Sequence, residues 1–423
     1  MKMQRMLPPT AAQVPPIALW QGICRLFDGK HVVERFQSEI VSEFGARRSY
    51  LLSSGKAALT VILSALARTS TRRKVVIPAY TCFSVPSAIV KAGLEVSLCD
   101  INPATLDFDH TLLEQTIDDQ TLCVLPTHLF GMPAAVDTVM SICKPRGIAV
   151  VEDAAQSMGA RSNGKWSGSV GDVGFFSLGR GKNLSCGHGA VILANSPDAA
   201  TILDGEYGKL AEESWFDAAR SIMELAGTNV FIRPPLYWLP AGLPFLGLGE
   251  TRFYTDFSVR RMTDVLASTL VGWRQRLERL TQARREQAVG LIRQIRDTAP
   301  EVTVLSAEDA AYLRLPILVR DRRVKERLIA QSSERGLGIS GCYPAAIHQI
   351  PQLQGLIGNG RYPGADEVVN RLVTLPTHGF VRPGDQIRIC ELLRGLHAHE
   401  PIGVGMEMSS PSPIYQTSRG PRT

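Results

Sequence analysis

The chain has 423 residues, 44% of them hydrophobic and 20% charged, which excludes a wholly disordered or fibrous protein and leaves room for two or three domains. Lys plus Arg number 46 against 40 for Asp plus Glu, a formal net charge of +6. Spread over this length, with no basic stripe interleaved with aromatics, that excess argues against a nucleic-acid partner.

The N-terminus, MKMQRMLPPTAAQVPP, is broken by prolines where a secretion signal needs an apolar core. Residues 1–50 read as an irregular arm followed by a short helix, VVERFQSEIVSEFG. From about 50 to 200, apolar runs at 74–78, 94–100, 121–127, 148–153, 173–179 and 189–195 alternate with helical stretches such as SGKAALTVILSALA and SVPSAIVKAG. Strands apolar throughout, separated by helices, predict βαβ units and a mostly parallel α/β sheet.

The stretch 205–257 breaks that rhythm with NVFIRPPLYWLPAGLPFLGLG. Arg233 and the prolines argue against a membrane-spanning helix, because each proline removes a helix hydrogen bond. An insertion packed on the protein or on a partner subunit is the plainer reading; a lipid-facing surface through 229–249 is the alternative. The large domain is then expected over 51–257. A long helix over 260–297 bridges to a smaller α/β domain, the two together filling 258–400. There AAYLRLPILVR and GISGCYP read as strands, RVKERLIAQSSERG as a helix, and helices around 364–373 and 384–398 close the unit. The tail, 401–423, carries few core residues and reads as disordered. The 8 cysteines are scattered without a CxxC pair, which predicts neither a metal site nor a disulfide framework and suits the cytoplasm.

Three segments carry chemistry. IAVVEDAAQS at 148–157 ends an apolar strand in acids, at the sheet edge where α/β proteins place ligands; a helix-capping Asp would look the same. GDVGFFSLGRGKNLSCGHGA at 171–190 holds a lysine bracketed by glycines, which is reactive only where burial or a nearby cation lowers its pKa. It is not a P-loop, since Asn183 follows Lys182. LLSSGKAALTVILSAL at 51–66 leads Ser and Gly into a helix whose free amides favour an anion; a plain N-cap at Ser53 or Ser54 is the alternative. His128, in PTHLFG, reads as a satisfied buried histidine rather than an acid–base group.

In this order the three segments resemble pyridoxal-phosphate enzymes of the aspartate aminotransferase fold, and more closely the sugar aminotransferase family called DegT/DnrJ/EryC1/StrS. The resemblance runs nearly the length of the chain, through SSGKAAL, VIPAYTCFSVPSAI, LPTHLFGMPAAVD, VEDAAQSMGA, GSVGDVGFFS, GKNLSCGHGA, GCYPAAIHQIP and LPTHGF. It implies a fold-type-I transferase with a mostly parallel seven-stranded type of sheet, a smaller C-terminal α/β domain and a homodimer with sites at the subunit interface. It also implies pyridoxal 5'-phosphate as cofactor. Lys182 matches the lysine that binds it covalently and shuttles protons, and Asp153 the carboxylate that keeps its ring nitrogen protonated. Gln156 matches the residue beside its phenolic oxygen, and Ser177 with Gly55, Lys56 and Ala57 the phosphate cup. Cys82 stands where an aromatic usually stacks on the ring, with Tyr80 or Phe83 as stand-ins. Tyr343 and His348 fall in a segment used near the active site, either structurally or facing substrate. Lys56 replaces a usual Thr or Ser, and Val259, before Arg260, Arg261 and Met262, replaces an asparagine that reaches the partner's phosphate.

The implied reaction is transfer of an amino group from glutamate or a similar donor to a keto group of a nucleotide-activated sugar, in polysaccharide or natural-product biosynthesis. Transamination of a non-sugar ketone (cyclitol, acyl or lipid-linked) and a non-catalytic regulator retaining the fold are the alternatives. Related sugar dehydratases usually carry histidine in place of the lysine, so Lys182 argues against that activity.

Overall fold

A computed structural model describes residues 5–24, 30–243 and 251–398. The strands are β1 (Arg48–Leu52), β2 (Lys74–Pro78), β3 (Glu95–Cys99), β4 (Thr121–Val124), β5 (Ala149–Asp153), the small hairpin β6 (Arg161–Ser162) and β7 (Lys165–Trp166), β8 (Val173–Ser177) and β9 (Ala190–Ala194). Seven of them form one sheet in the order β1-β9-β8-β5-β4-β2-β3. Pairings from β3 across to β8 are parallel, while β9 runs antiparallel to both β1 and β8. Both faces are covered, so alternate residues of one strand feed different cores: Ile192 joins one, Val191 and Leu193 the other.

A second sheet, β10 (Thr303–Val304), β11 (Arg314–Leu318) and β12 (Leu372–Pro376), is antiparallel throughout. The helix Arg322–Arg335, N-capped by Asp321 on Val324 N, and the helix Pro383–Ala398 accompany it. Between the two sheets lies the 26-residue helix Trp273–Thr298. The helix expected from 260 is broken: a short helix, Asp264–Ser268, comes first, and Gly272 at φ +72° takes the left-handed turn before Trp273. GISGCYP is not a strand. Gly338 (φ +72°) and Cys342 (φ +60°) interrupt extended backbone, leaving Ser340 as an isolated bridge to Thr374.

The N-terminal arm is more structured than expected. Pro16–Cys24 is a helix, a second spans Lys30–Phe44, and the residues before them form a strap. Leu7 N bonds Gly336 O, the Thr10 hydroxyl donates to Gly181 O at 2.6 Å, and the Val14 backbone exchanges bonds with the Asn229 side chain. His378 Nε2 donates to Pro8 O at 2.8 Å, and Arg5 pairs with Asp385. The expected insertion begins as the helix Trp215–Phe231, started by a Ser214–Asp217 capping box, with Phe216, Met223 and Val230 exposed. Among the described residues no helix is long and apolar enough to cross a membrane. The tail beyond 400 lies outside the described residues.

One buried acid braces the sheet's edge. Glu152 accepts the backbone N–H groups of Gly168, Val170 and Gly171 at 2.6–2.7 Å and faces His128 Nε2 at 3.0 Å. His128 Nδ1 accepts Ala134 N, which puts the ring proton on Nε2, so this histidine is fully satisfied in the core. Glu152→Gln turns an acceptor into an amide donor aimed at N–H groups. We expect it to cost about 2–4 kcal/mol, read as a lower urea midpoint.

Candidate active site

Successive residues of a strand point to opposite faces, so β5 sends Glu152 into that brace and Asp153 the other way, at the carboxyl edge of the sheet. Asp153 Oδ1 accepts Ala155 N at 3.1 Å. Burial raises the Asp153 pKa, and the positive charge of Lys182 offsets part of that rise. Lys182 sits in the loop joining β8 to β9, whose ends meet in a Gly179–Gly187 bridge. Lys182 N bonds Gly179 O, Thr10 holds Gly181 O, and Arg284 donates to Lys182 O. Burial lowers the Lys182 pKa, Cys82 and Asp153 pull it back up, and Arg314 pushes it down further. The loop thus presents a desolvated amine opposite a desolvated acid.

The helix Gly55–Arg68 opens beside the end of β8. Ser54 Oγ caps Ala57 N at 3.1 Å, and the first-turn amides at Gly55 and Lys56 precede any intrahelical partner. A Cβ on Gly55 would lie 3.5 Å from Ser177 Oγ, so the hydroxyl and the helix start share one small space. Oriented amides, a hydroxyl and the helix dipole make an anion cup. Lys56 extends to its side, with Nζ 3.4 Å from the Tyr254 ring centroid and 4.6 Å from that of Phe257. Lys91 Nζ, donating to Thr255 O, holds the same segment, and Arg260 O accepts Ser53 N.

Gln156 links the two parts of the chain. Its Oε1 accepts Phe130 N at 3.1 Å, and its Nε2 donates to the Tyr343 hydroxyl at 2.7 Å. The Tyr343 ring lies 5.4 Å from that of Tyr80, which is fully buried with a hydroxyl that has no partner among the described residues. Cys82 Sγ accepts from Ser84 Oγ at 3.0 Å, within electrostatic reach of both Lys182 and Tyr343. The structure thus groups Asp153, Lys182, Gln156, Tyr343 and Cys82, with Ser177, Gly55, Lys56 and Ala57 at the cup. His348 turns elsewhere: Nε2 lies 3.1 Å from Asp366 Oδ1 and its ring 5.0 Å from Tyr362. The sequence reading passed over Arg314 and Tyr237, whose electrostatic coupling brings them to this group. An arginine in a strand's apolar run, AAYLRLPILVR, was the available signal for the first; a tyrosine among the insertion's apolar residues gave none.

These donors fit pyridoxal phosphate. They offer a neutral-leaning amine for its aldehyde, an acid for its ring nitrogen, a cup for its phosphate and the orphaned Tyr80 hydroxyl as a further polar contact.

The family model described as the DegT/DnrJ/EryC1/StrS aminotransferase family matches residues 24–229 and 246–394. A pleiotropic regulatory protein from Geobacillus stearothermophilus is 24% identical over 370 residues, covering 87% of this chain and 90% of that protein. A GDP-perosamine synthase from Caulobacter vibrioides is 29% identical over 191 residues, 44% of this chain and 51% of that one, so the match spans about half of that relative. The sugar aminotransferase CalS13 from Micromonospora echinospora superposes with a TM-score of 0.74 at 21% identity, covering 92% of this chain and 100% of that one. That likeness shows the fold.

The lowered Lys182 pKa has a direct readout in the cofactor-free protein. A depressed pKa means the amine is already neutral at pH values where surface lysines stay charged, so its reductive methylation should reach a plateau at lower pH than theirs. Asp153→Asn removes a charge that favours the ammonium and should move the plateau lower still. Peptide mass spectrometry across pH 6–10 (roughly the span below the ordinary lysine value) checks both.

Proposed function

The chain belongs to the DegT/DnrJ/EryC1/StrS aminotransferase family, and we propose that it is a pyridoxal-phosphate-dependent aminotransferase acting on a keto group of a nucleotide-activated sugar, with glutamate or a similar amino acid as donor. The observation that carries this reading is the buried Lys182 amine held opposite the buried Asp153 carboxylate. When bound, the cofactor supplies an electron sink for negative charge on the donor carbon.

The chain's own residues do the rest. Lys182 Nζ would hold the cofactor's aldehyde carbon, and as a free amine it would take the proton from the donor's α-carbon and return one, a role that requires the neutral amine which burial favours. Asp153 would hold a proton on the ring nitrogen, a cation that would offset the burial that raises its own pKa. Gln156, fixed between Phe130 N and Tyr343, would lie beside the phenolic oxygen. Ser177 and the amides at Gly55 and Lys56 would take the phosphate, beside Ala57 N, which Ser54 Oγ already holds. Lys56 would add an ionic contact on leaving its aromatic neighbours. A homodimer, which the resemblance implies, and the cytoplasm, which the scattered cysteines suit, belong to this reading, and the name of the perosamine synthase relative supports a sugar substrate.

The regulatory relative favours a second reading, a regulator without turnover. A regulator has no use for a desolvated amine set against an acid, and measurable amino transfer would dispose of it.

Purified protein should take up pyridoxal phosphate with visible absorbance that Lys182→Ala abolishes. Glutamate and a panel of nucleotide keto-sugars should yield one aminated product by mass. Asp153→Asn should lower kcat by about 10²–10³-fold, the loss typical of removing a preorganised charge. A wild-type protein that binds no cofactor would overturn the assignment.

A further inference from the structure

Two segments that the family model leaves unmatched, residues 1–23 and 230–245, are joined by a hydrogen bond from Met6 N to Pro234 O. The helices beside that bond, Pro16–Cys24 and Trp215–Phe231, lie against each other with their contacts in opposite order. The Val14 backbone exchanges bonds with Asn229, and Ala18 packs with Leu225. Gly22 comes so near Ile222 that a Cβ there would stand 3.2 Å from its Cδ1. Small residues thus face inward, and larger apolar ones stay outside.

On Pro16–Cys24, Ile17 and Trp20 are 63% and 62% exposed, and Ile23 is exposed beside them. On Trp215–Phe231, the exposed Phe216, Met223 and Val230 follow one another at seven-residue steps, a single stripe along the helix. Ala218, Ile222, Leu225 and Asn229 occupy the opposite, buried side. Leu236 and Leu239 add exposed apolar surface in the turns that follow. A folded surface ordinarily scatters such side chains singly; here they gather on two adjoining helices and their continuation.

Charge decides what covers this face. Residues 229–249 contain one charged side chain, the exposed Arg233, and residues 1–27 contain Lys2, Arg5 and Arg25; neither stretch has an acid. The acids on the intervening helix are engaged, Asp217 by Ser214 and Arg260 and Glu224 by Arg220. A two-fold contact with a second copy would set the face against itself, and neither stretch has an acid to meet Arg233. A bilayer offers hydrocarbon to the apolar stripe, phosphate to the arginine and a boundary between them that accommodates Trp20.

We propose that this face rests on the surface of a membrane containing anionic phospholipid, so that the chain is a peripheral membrane protein. Pro234, Pro235 and Pro240 break the apolar run into turns too short to cross, which keeps the contact within the interface. The inference extends the lipid-facing reading of 229–249 to the N-terminal helix, and it stands independently of amino transfer.

The test is co-sedimentation of the full chain with vesicles of phosphatidylcholine alone and of phosphatidylcholine mixed equally with phosphatidylglycerol. Wild type should bind the mixed vesicles, and brominated lipid should quench a part of its tryptophan fluorescence that Trp20→Phe removes. Ile17→Ser/Met223→Ser, changed only at exposed positions, should unfold thermally like wild type and bind about 10–100-fold more weakly. Arg233→Gln should narrow the preference for anionic vesicles by about 5-fold, the share of one surface cation. Failure of wild type to bind, equal binding to both vesicle types, or unchanged binding by the double variant overturns the proposal. A smaller oligomer for the double variant by light scattering also overturns it, by assigning the face to a second copy.

Discussion

An amine and an acid withdrawn from water and set opposite each other are what the rest of this molecule serves. Burial drives the Asp153 carboxyl and the Lys182 amine toward their neutral forms, and the charge of each offsets part of that shift in the other. The arrangement works because β5 places consecutive acids on opposite faces. Glu152 is fully engaged with the amides of 168–171 and with His128, so it stiffens the strand that aims Asp153. A residue that touches no ligand thereby governs the geometry of one that does.

The lysine loop is held just as firmly, from several directions. A glycine bridge closes its base, the strap's Thr10 hydroxyl holds Gly181 O, Arg284 reaches Lys182 O, and Arg276 reaches Ser185 O. Arg284 is fully buried, and burial brings its pKa down to about 10, which still leaves it charged at neutral pH. Gly181, at φ +74°, supplies the backbone turn that a side chain would strain, with Thr10 only 2.7 Å from where a Cβ would stand. The loop is therefore a fixed mount, and the reactive amine moves on its own side-chain bonds.

Much of this was legible from residue patterns. The apolar runs at 74–78, 148–153 and 189–195 are strands within a residue or so, because strands buried on both faces must be apolar throughout. The order of Ser-Gly helix start, strand-end Asp and glycine-flanked lysine carried the site. What escaped was set by tertiary contact. β1 was hidden because Tyr50-Leu51-Leu52 runs straight into the helix at Gly55, and β12 because Leu372–Pro376 follows a helix without a break. The strap's polar bonds to Gly181, Gly336 and Asn229 leave no periodicity in a proline-rich arm. Arg314 looked like a blemish in a strand; its meaning lies in what surrounds it, and its spacing in the sequence does not reveal that.

The strap also has a consequence for how the chain is made. Residues 5–14 are made long before their partners: Pro8 waits for His378, 370 positions later, and Arg5 for Phe380 and Asp385. Contacts so remote in sequence form late, after the closure entropy of the long intervening stretch has been overcome. The strap is thus a late brace, fitted only once the residues around His378 have been made and folded.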